Sequence, residues 1–180
     1  MLFAKKSPLL LCSFQLYFFS DKDYNDCMLK VQVVAVGGIK ESFYREAVAE
    51  YVKRLGKWAK VEISEAEEAS RIEDPARKRE AEAAGILKRV KGRVILLDVK
   101  GRKVKSEEIA EILSDSVLAG TSEITFVIGG SNGVAKTVKD RADDVLSFGD
   151  ITLPHQLFRV VLMEQIYRAM TILNGTPYHK

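Results

Sequence analysis

Cysteine, histidine and proline are all scarce in this chain: 180 residues carry two, two and four of them. Both cysteines, Cys12 and Cys27, precede Met28, so the remainder folds without disulfides and offers no thiolate to a metal or a substrate. The histidines, His155 and His179, stand about one helix apart and, without cysteine beside them, do not make a zinc or iron set. No apolar run is long enough to cross a bilayer. No serine sits in a nucleophile elbow, which argues against covalent hydrolase chemistry. The phosphate loop G-x-x-x-x-G-K-[ST] is absent, and the glycines that are present lack the spacing of a dinucleotide fingerprint.

What is present suffices for one ordinary globular domain, with 47% hydrophobic and 29% charged residues. The net charge of +3 permits a polyanionic partner without requiring one. Residues 1–27 read differently from the rest. Lys5 and Lys6 before an apolar stretch imitate a secretory signal, but Ser13 and Gln15 interrupt that stretch and no small-residue cleavage site follows. The segment is read as an extension upstream of the natural start, with residues 28–180 forming the folded unit. Three basic and three acidic residues leave with it, so the unit keeps its +3. A cysteine-free unit of this kind suits the cytoplasm.

From Met28 onward, strand and helix patterns alternate. Residues 29–36 are rich in β-branched side chains and end at Gly37-Gly38, as a buried strand would. In 41–55 the residues Tyr44, Ala47, Val48, Tyr51, Val52 and Leu55 form one helical stripe, halted by Gly56. A short strand is expected at 61–63, an acidic irregular stretch at 65–74, and a helix from Asp74-Pro75 to about Val90. Strands at 93–99 and 124–128, helices at 106–119 and 135–141, an apolar stretch at 145–148 and a last helix from Pro154 to about Leu173 complete the series. Strands separated by helices imply an α/β fold with a parallel sheet covered on both faces.

Three features invite a function. The loop Gly129-Gly130-Ser131-Asn132-Gly133, at the exit of a buried strand, suits close backbone approach to a ligand and equally a plain strand-to-helix turn. The helix after Pro75 carries Arg77, Lys78, Arg79, Lys88 and Arg89 with Lys91 beyond, a solvated face balanced by Glu80 and Glu82 or else a phosphate-contacting patch. The last helix is apolar on more than one side, which implies burial against more than its own sheet and suggests a subunit partner. On it, Glu164 and Arg168 are spaced to pair, as a structural or a catalytic couple.

Taken together, MLKVQVVAVGGIKESF from Met28, LLDVKG at 96–101, FVIGGSNG at 126–133, LSFGDITLPHQLFRVVLMEQIYRA at 146–169 and the terminal PYHK resemble the ribosomal RNA large-subunit methyltransferase H family. The resemblance covers 28–180. It implies a SPOUT fold with a C-terminal trefoil knot, S-adenosylmethionine as methyl donor, and methylation of N3 of a pseudouridine in 23S ribosomal RNA. A homodimer acting on assembled ribosomes is expected, with no metal and no membrane. Carried over by motif, the donor site comprises Leu97, Gly129, Phe148, Gly149, Asp150, Ile151, Thr152 and Leu153. For the acceptor, His155, Tyr178 and His179 are expected to contact the base, and Arg159, Arg168 and Lys180 to meet phosphate or developing negative charge. A SPOUT enzyme acting on another RNA, such as tRNA, and a non-catalytic ribosome-binding module are the competing readings.

Overall fold

The computed structural model describes residues 28–178, so the expectations for 1–27, His179 and Lys180 fall outside the described residues. Five strands and five helices follow in the order β1 (Leu29–Val36), α1 (Ser42–Leu55), β2 (Ala59–Ala66), α2 (Pro75–Leu87), β3 (Arg93–Lys103), α3 (Ser106–Leu118), β4 (Glu123–Ile128), α4 (Lys136–Arg141), β5 (Asp144–Ser147) and α5 (His155–Leu173). All pairings are parallel, in the order β2-β1-β4-β3-β5, as the alternating pattern requires.

Period-two alternation sorts the strand residues onto two faces. Val31, Val33 and Ala35 of β1 join Ile95 and Leu97 of β3 and Phe126 and Ile128 of β4 under α1, α3 and α5. Val34 and Val36, with Val94, Leu96 and Val127, pack beneath α2 and α4, through Ala83, Ile86 and Val138. Both faces are therefore covered. The apolar stripe on α1 points inward through Val48 and Leu55, and Arg45, Glu46, Glu50, Lys53 and Arg54 stay in water. Asp74 caps α2 by accepting from the Arg77 amide at 2.7 Å, with Pro75 in the first turn.

Several boundaries differ from the sequence reading. β2 runs over eight residues rather than three, because it is an edge strand whose exposed positions Lys60 and Glu62 hide the pattern. α2 stops at Leu87 instead of Val90: Lys88 is its C-cap, and the amides of Arg89 and Val90 both close on the Ile86 carbonyl at 2.9 and 3.1 Å. β3 extends to Lys103 with an offset: Leu97 and Arg102 both face Leu146 of β5, so 98–101 swing out and return. Gly101 makes that return feasible, since a Cβ there would lie 2.6 Å from the Leu146 carbonyl carbon.

α5 packs against both α1 and α3, burying Leu162, Met163, Ile166, Ala169 and Met170. Part of its all-round apolarity is thus satisfied inside the chain. Leu157, Val160, Val161 and Ile172 remain half-exposed. Near its start, Arg159 is 2% exposed and donates to the carbonyls of Val36 at 3.0 Å and Gly37, and to Glu65 Oε1 at 2.8 Å. Burial pushes this guanidinium below its ordinary range, and Glu65 opposes the shift.

Replacing Arg159 with Met removes three charge-assisted bonds while keeping much of the packing volume. The folded state should lose about 2–4 kcal/mol, read as a lower urea midpoint. An unmoved midpoint would count against the clamp.

Candidate active site

The C-terminal ends of parallel strands are where open α/β sheets gather ligands, because loops and helix starts converge there. In this protein β3, β4 and β5 end around a cavity of 420 Å³. Leu97 and Val99 line it from β3, Gly129 and Gly130 from the exit of β4, Phe148 to Gly149 and Ile151 to Leu153 from the loop after β5. His155, Phe158 and Val161 close it from α5, with the Phe158 ring 5.4 Å from that of Phe148. The walls are largely aliphatic and aromatic, and the glycine turn brings backbone to their edge. Asp98 and His155 are the titratable side chains among its lining residues.

Asp98 is held ionised. Its partial burial disfavours the charge, but Lys139 Nζ at 2.7 Å and the Lys100 amide at 3.0 Å outweigh that penalty and keep the carboxyl below its usual range. Ile151 is 80% exposed and Val99 59%, two large apolar side chains standing at the mouth.

Most of the residues expected to bind the donor meet in this one cavity: Leu97, Gly129, Phe148, Gly149, Ile151, Thr152 and Leu153. Asp150 does not. Its side chain, 78% exposed, turns outward to Lys103 Nζ at 2.6 Å. Of the acceptor residues, His155 is at the cavity. Arg159 is not: its guanidinium is used up at the ends of β1 and β2, as described above. Arg168 pairs with Glu164 at 2.6 Å and lies beneath the Tyr178 ring, 4.9 Å from guanidinium carbon to ring centroid. The Glu164 bond raises the Arg168 pKa, while burial foremost, with Tyr51 and Glu164 nearby, raises that of Tyr178. Tyr178 also stands edge-on to Tyr167 at 4.9 Å. Arg168 lies thirteen positions after His155, about 20 Å along the α5 axis. The two ends of α5 thus carry two separate constellations.

The glycine turn is a built feature rather than a loose loop. Gly133 N–H donates to the Gly130 carbonyl at 2.9 Å, and a Cβ on Gly130 would come within 2.6 Å of Glu82 Oε2. Glu82 corrects the sequence reading, which put it on a solvated face. It is 2% exposed, accepts from the Ala69 amide at 3.2 Å through Oε1, and leaves Oε2 without a hydrogen bond. The basic helix splits as well. Lys78 turns to Glu68, Arg89 folds back on the Gly85 carbonyl, and Arg79 leans toward α4.

Gly130→Ala forces its methyl group onto a buried carboxylate and should cost about 1–3 kcal/mol in thermal or urea unfolding. Because the closest approach is to Glu82 Oε2, with Val36 Cγ1 next at 3.3 Å, E82A/G130A should lose less than the two single variants added together, by at least about 0.5 kcal/mol. Strict additivity would place the strain elsewhere.

The sequence from 29 to 179 matches the family model described as predicted SPOUT methyltransferase. The ribosomal RNA large subunit methyltransferase H of Lactobacillus gasseri is 45% identical over 159 residues, covering 84% of this chain and all of that one. That of Acetivibrio thermocellus is 44% identical over 161 residues, again 84% of this chain and all of the relative. Among solved structures, a probable methylase family protein from Haemophilus influenzae Rd KW20 aligns with a TM-score of 0.49 at 16% identity, over 85% of this chain and 72% of that one. With the family model spanning nearly all of the described residues and whole relatives aligned beyond 40% identity, the chain belongs to the SPOUT methyltransferases, in the family named ribosomal RNA large subunit methyltransferase H.

Proposed function

We propose that this protein transfers the methyl group of S-adenosylmethionine to N3 of a pseudouridine in 23S ribosomal RNA, acting in the cytoplasm as a homodimer on assembled ribosomes. Residues 28–180 would form the working unit and 1–27 an extension outside it. The observation that carries the reading is the cavity at the ends of β3, β4 and β5, where seven of the eight residues matched to the donor site by motif converge. Its volume lies within the usual range for small-molecule sites, and apolar walls with backbone amides suit a neutral adenine and a sulfonium. The fold would carry the C-terminal trefoil knot that the family resemblance implies.

S-adenosylmethionine, held by Leu97, Gly129, Phe148 and Leu153, would supply an electrophilic methyl group for in-line transfer to the deprotonated N3. The chain's own part is positioning and proton handling. Leu97, Ile128, Phe148 and Leu153 exclude water. His155, exposed at the rim, is the side chain of this subunit suited to take the N3 proton. Tyr178 and Arg168 are about 20 Å away along α5, so their contact with the base requires a second copy to present its tail. Lys180 and His179 belong to that same tail.

Calorimetry should detect S-adenosylmethionine binding to the intact protein. Asp150→Ala should leave that affinity within about twofold, given that its carboxylate faces Lys103. Deleting 178–180 should preserve donor binding and abolish labelled methyl transfer to ribosomes from a strain lacking the enzyme, with the label mapping to one pseudouridine. Near-normal transfer by the truncated protein removes the tail from the active site. Equal methylation of a free stem-loop and of ribosomes removes the preference for the assembled particle.

A further inference from the structure

A second cavity, of 480 Å³, lies beside the first and has the opposite chemistry. Its lining brings Arg79 from α2, Lys100 from the excursion in β3, and Lys136 and Lys139 from α4 against the Asn132–Gly133 turn, with Asp98 as the acid among them. These cations come from three separate elements, so a run of like charges in sequence does not explain their convergence. Lys139 is bound to Asp98 at 2.7 Å and Lys136 to Asp140 at 2.6 Å. Arg79 and Lys100 form no ion pair among the described residues. Concentrating surplus positive charge at one spot costs repulsion unless an anion relieves it.

We propose that this cavity holds a backbone phosphate of the RNA substrate, with Arg79 and Lys100 as its principal ligands. The inference rests on the reading that the substrate is RNA. A guanidinium fork suits two phosphate oxygens and an ammonium supplies a point charge, the pairing phosphodiesters commonly meet. The two cavities share Asp98, Gly133 and Val134 in their walls. A phosphate seated in the basic one therefore leaves a neighbouring nucleotide at the mouth of the apolar one, as an unstacked loop base would be. Asp98 links the two: ionised by Lys139 and Lys100, it fixes the excursion that carries Lys100.

The test is R79Q/K100Q in the full chain, set against K53Q/K60Q, which removes the same charge from exposed positions on α1 and β2. Binding is measured to protein-free 23S rRNA and to ribosomes, and separately to S-adenosylmethionine. R79Q/K100Q should weaken binding to protein-free rRNA about tenfold and flatten the dependence of log Kd on log salt by roughly 1–2. Donor affinity should stay within about twofold, and K53Q/K60Q should bind rRNA as the parent does. An unchanged rRNA affinity, or an equal loss in the control, overturns the proposal. A fall in donor affinity overturns it in favour of the donor carboxylate as the anion, and a loss confined to ribosomes overturns it in favour of an acidic protein surface. Cation-dependent rRNA binding without any methyl transfer would sink the catalytic reading and leave this one standing.

Discussion

The buried guanidinium of Arg159 is the contact on which the arrangement of the site depends. It ties the second turn of α5 to the carbonyls that end β1, and to Glu65 near the end of β2. Glu65 in turn accepts from the Ile39 amide at 3.2 Å, and Gln156 accepts from the amides of Lys40 and Glu41 at 2.7 and 3.2 Å. The start of α5 is thereby fastened to the β1–α1 connection, one side of the sheet, while the loop leading into it comes from β5, the other edge. Residues 148–153 are strung between those two anchors. An isolated buried charge is expensive, and this one is tolerated because carbonyls and a carboxylate surround it. The orphaned Nε atom shows that even so the solvation is incomplete.

Where burial follows a single period, the sequence was a good guide. β1 reads as a strand because both faces of it are covered, and α1 reads as a helix because its stripe meets one core and its charges meet water. The motif at 148–153 and the glycine turn likewise led to the cavity, since strand ends in a parallel sheet point to one place. The failures share a cause. Glu82, Arg159 and Asp150 are polar residues whose setting is decided by partners 13, 94 and 47 positions away in sequence. No local pattern carries that information. Phe158, Val161 and Val134 were missed for the converse reason: an apolar residue facing a cavity looks like one facing a core.

The two neighbouring cavities divide recognition by physical principle. The apolar one offers area, which discriminates shape, and would exclude water from atoms reacting within it. The basic one offers charge, which acts over about 10 Å at moderate salt and carries no sequence information. With a total charge of only +3, the chain has little surplus to spread evenly over its surface. Placing Arg79 and Lys100, which form no ion pair among the described residues, beside the apolar cavity concentrates what surplus there is at one spot. The rest of the surface stays close to neutral and adds little non-specific attraction.

The same economy bears on the far end of α5. There Tyr178 covers Arg168, Arg168 holds Glu164, and Tyr178 leans on Tyr167, so an aromatic and an ion pair stabilise one another in a half-buried cluster. The cluster is internally bonded, yet it sits some 20 Å from the cavity proposed for the donor. The half-exposed Leu157, Val160 and Val161 lie on the turns between the two. A second copy docked antiparallel along that stretch would cover these side chains and bring each tail toward the opposite cavity. Covering an apolar strip and completing a divided site would then be one event, so that a lone subunit folds, keeps its donor cavity, and still lacks half of its acceptor contacts.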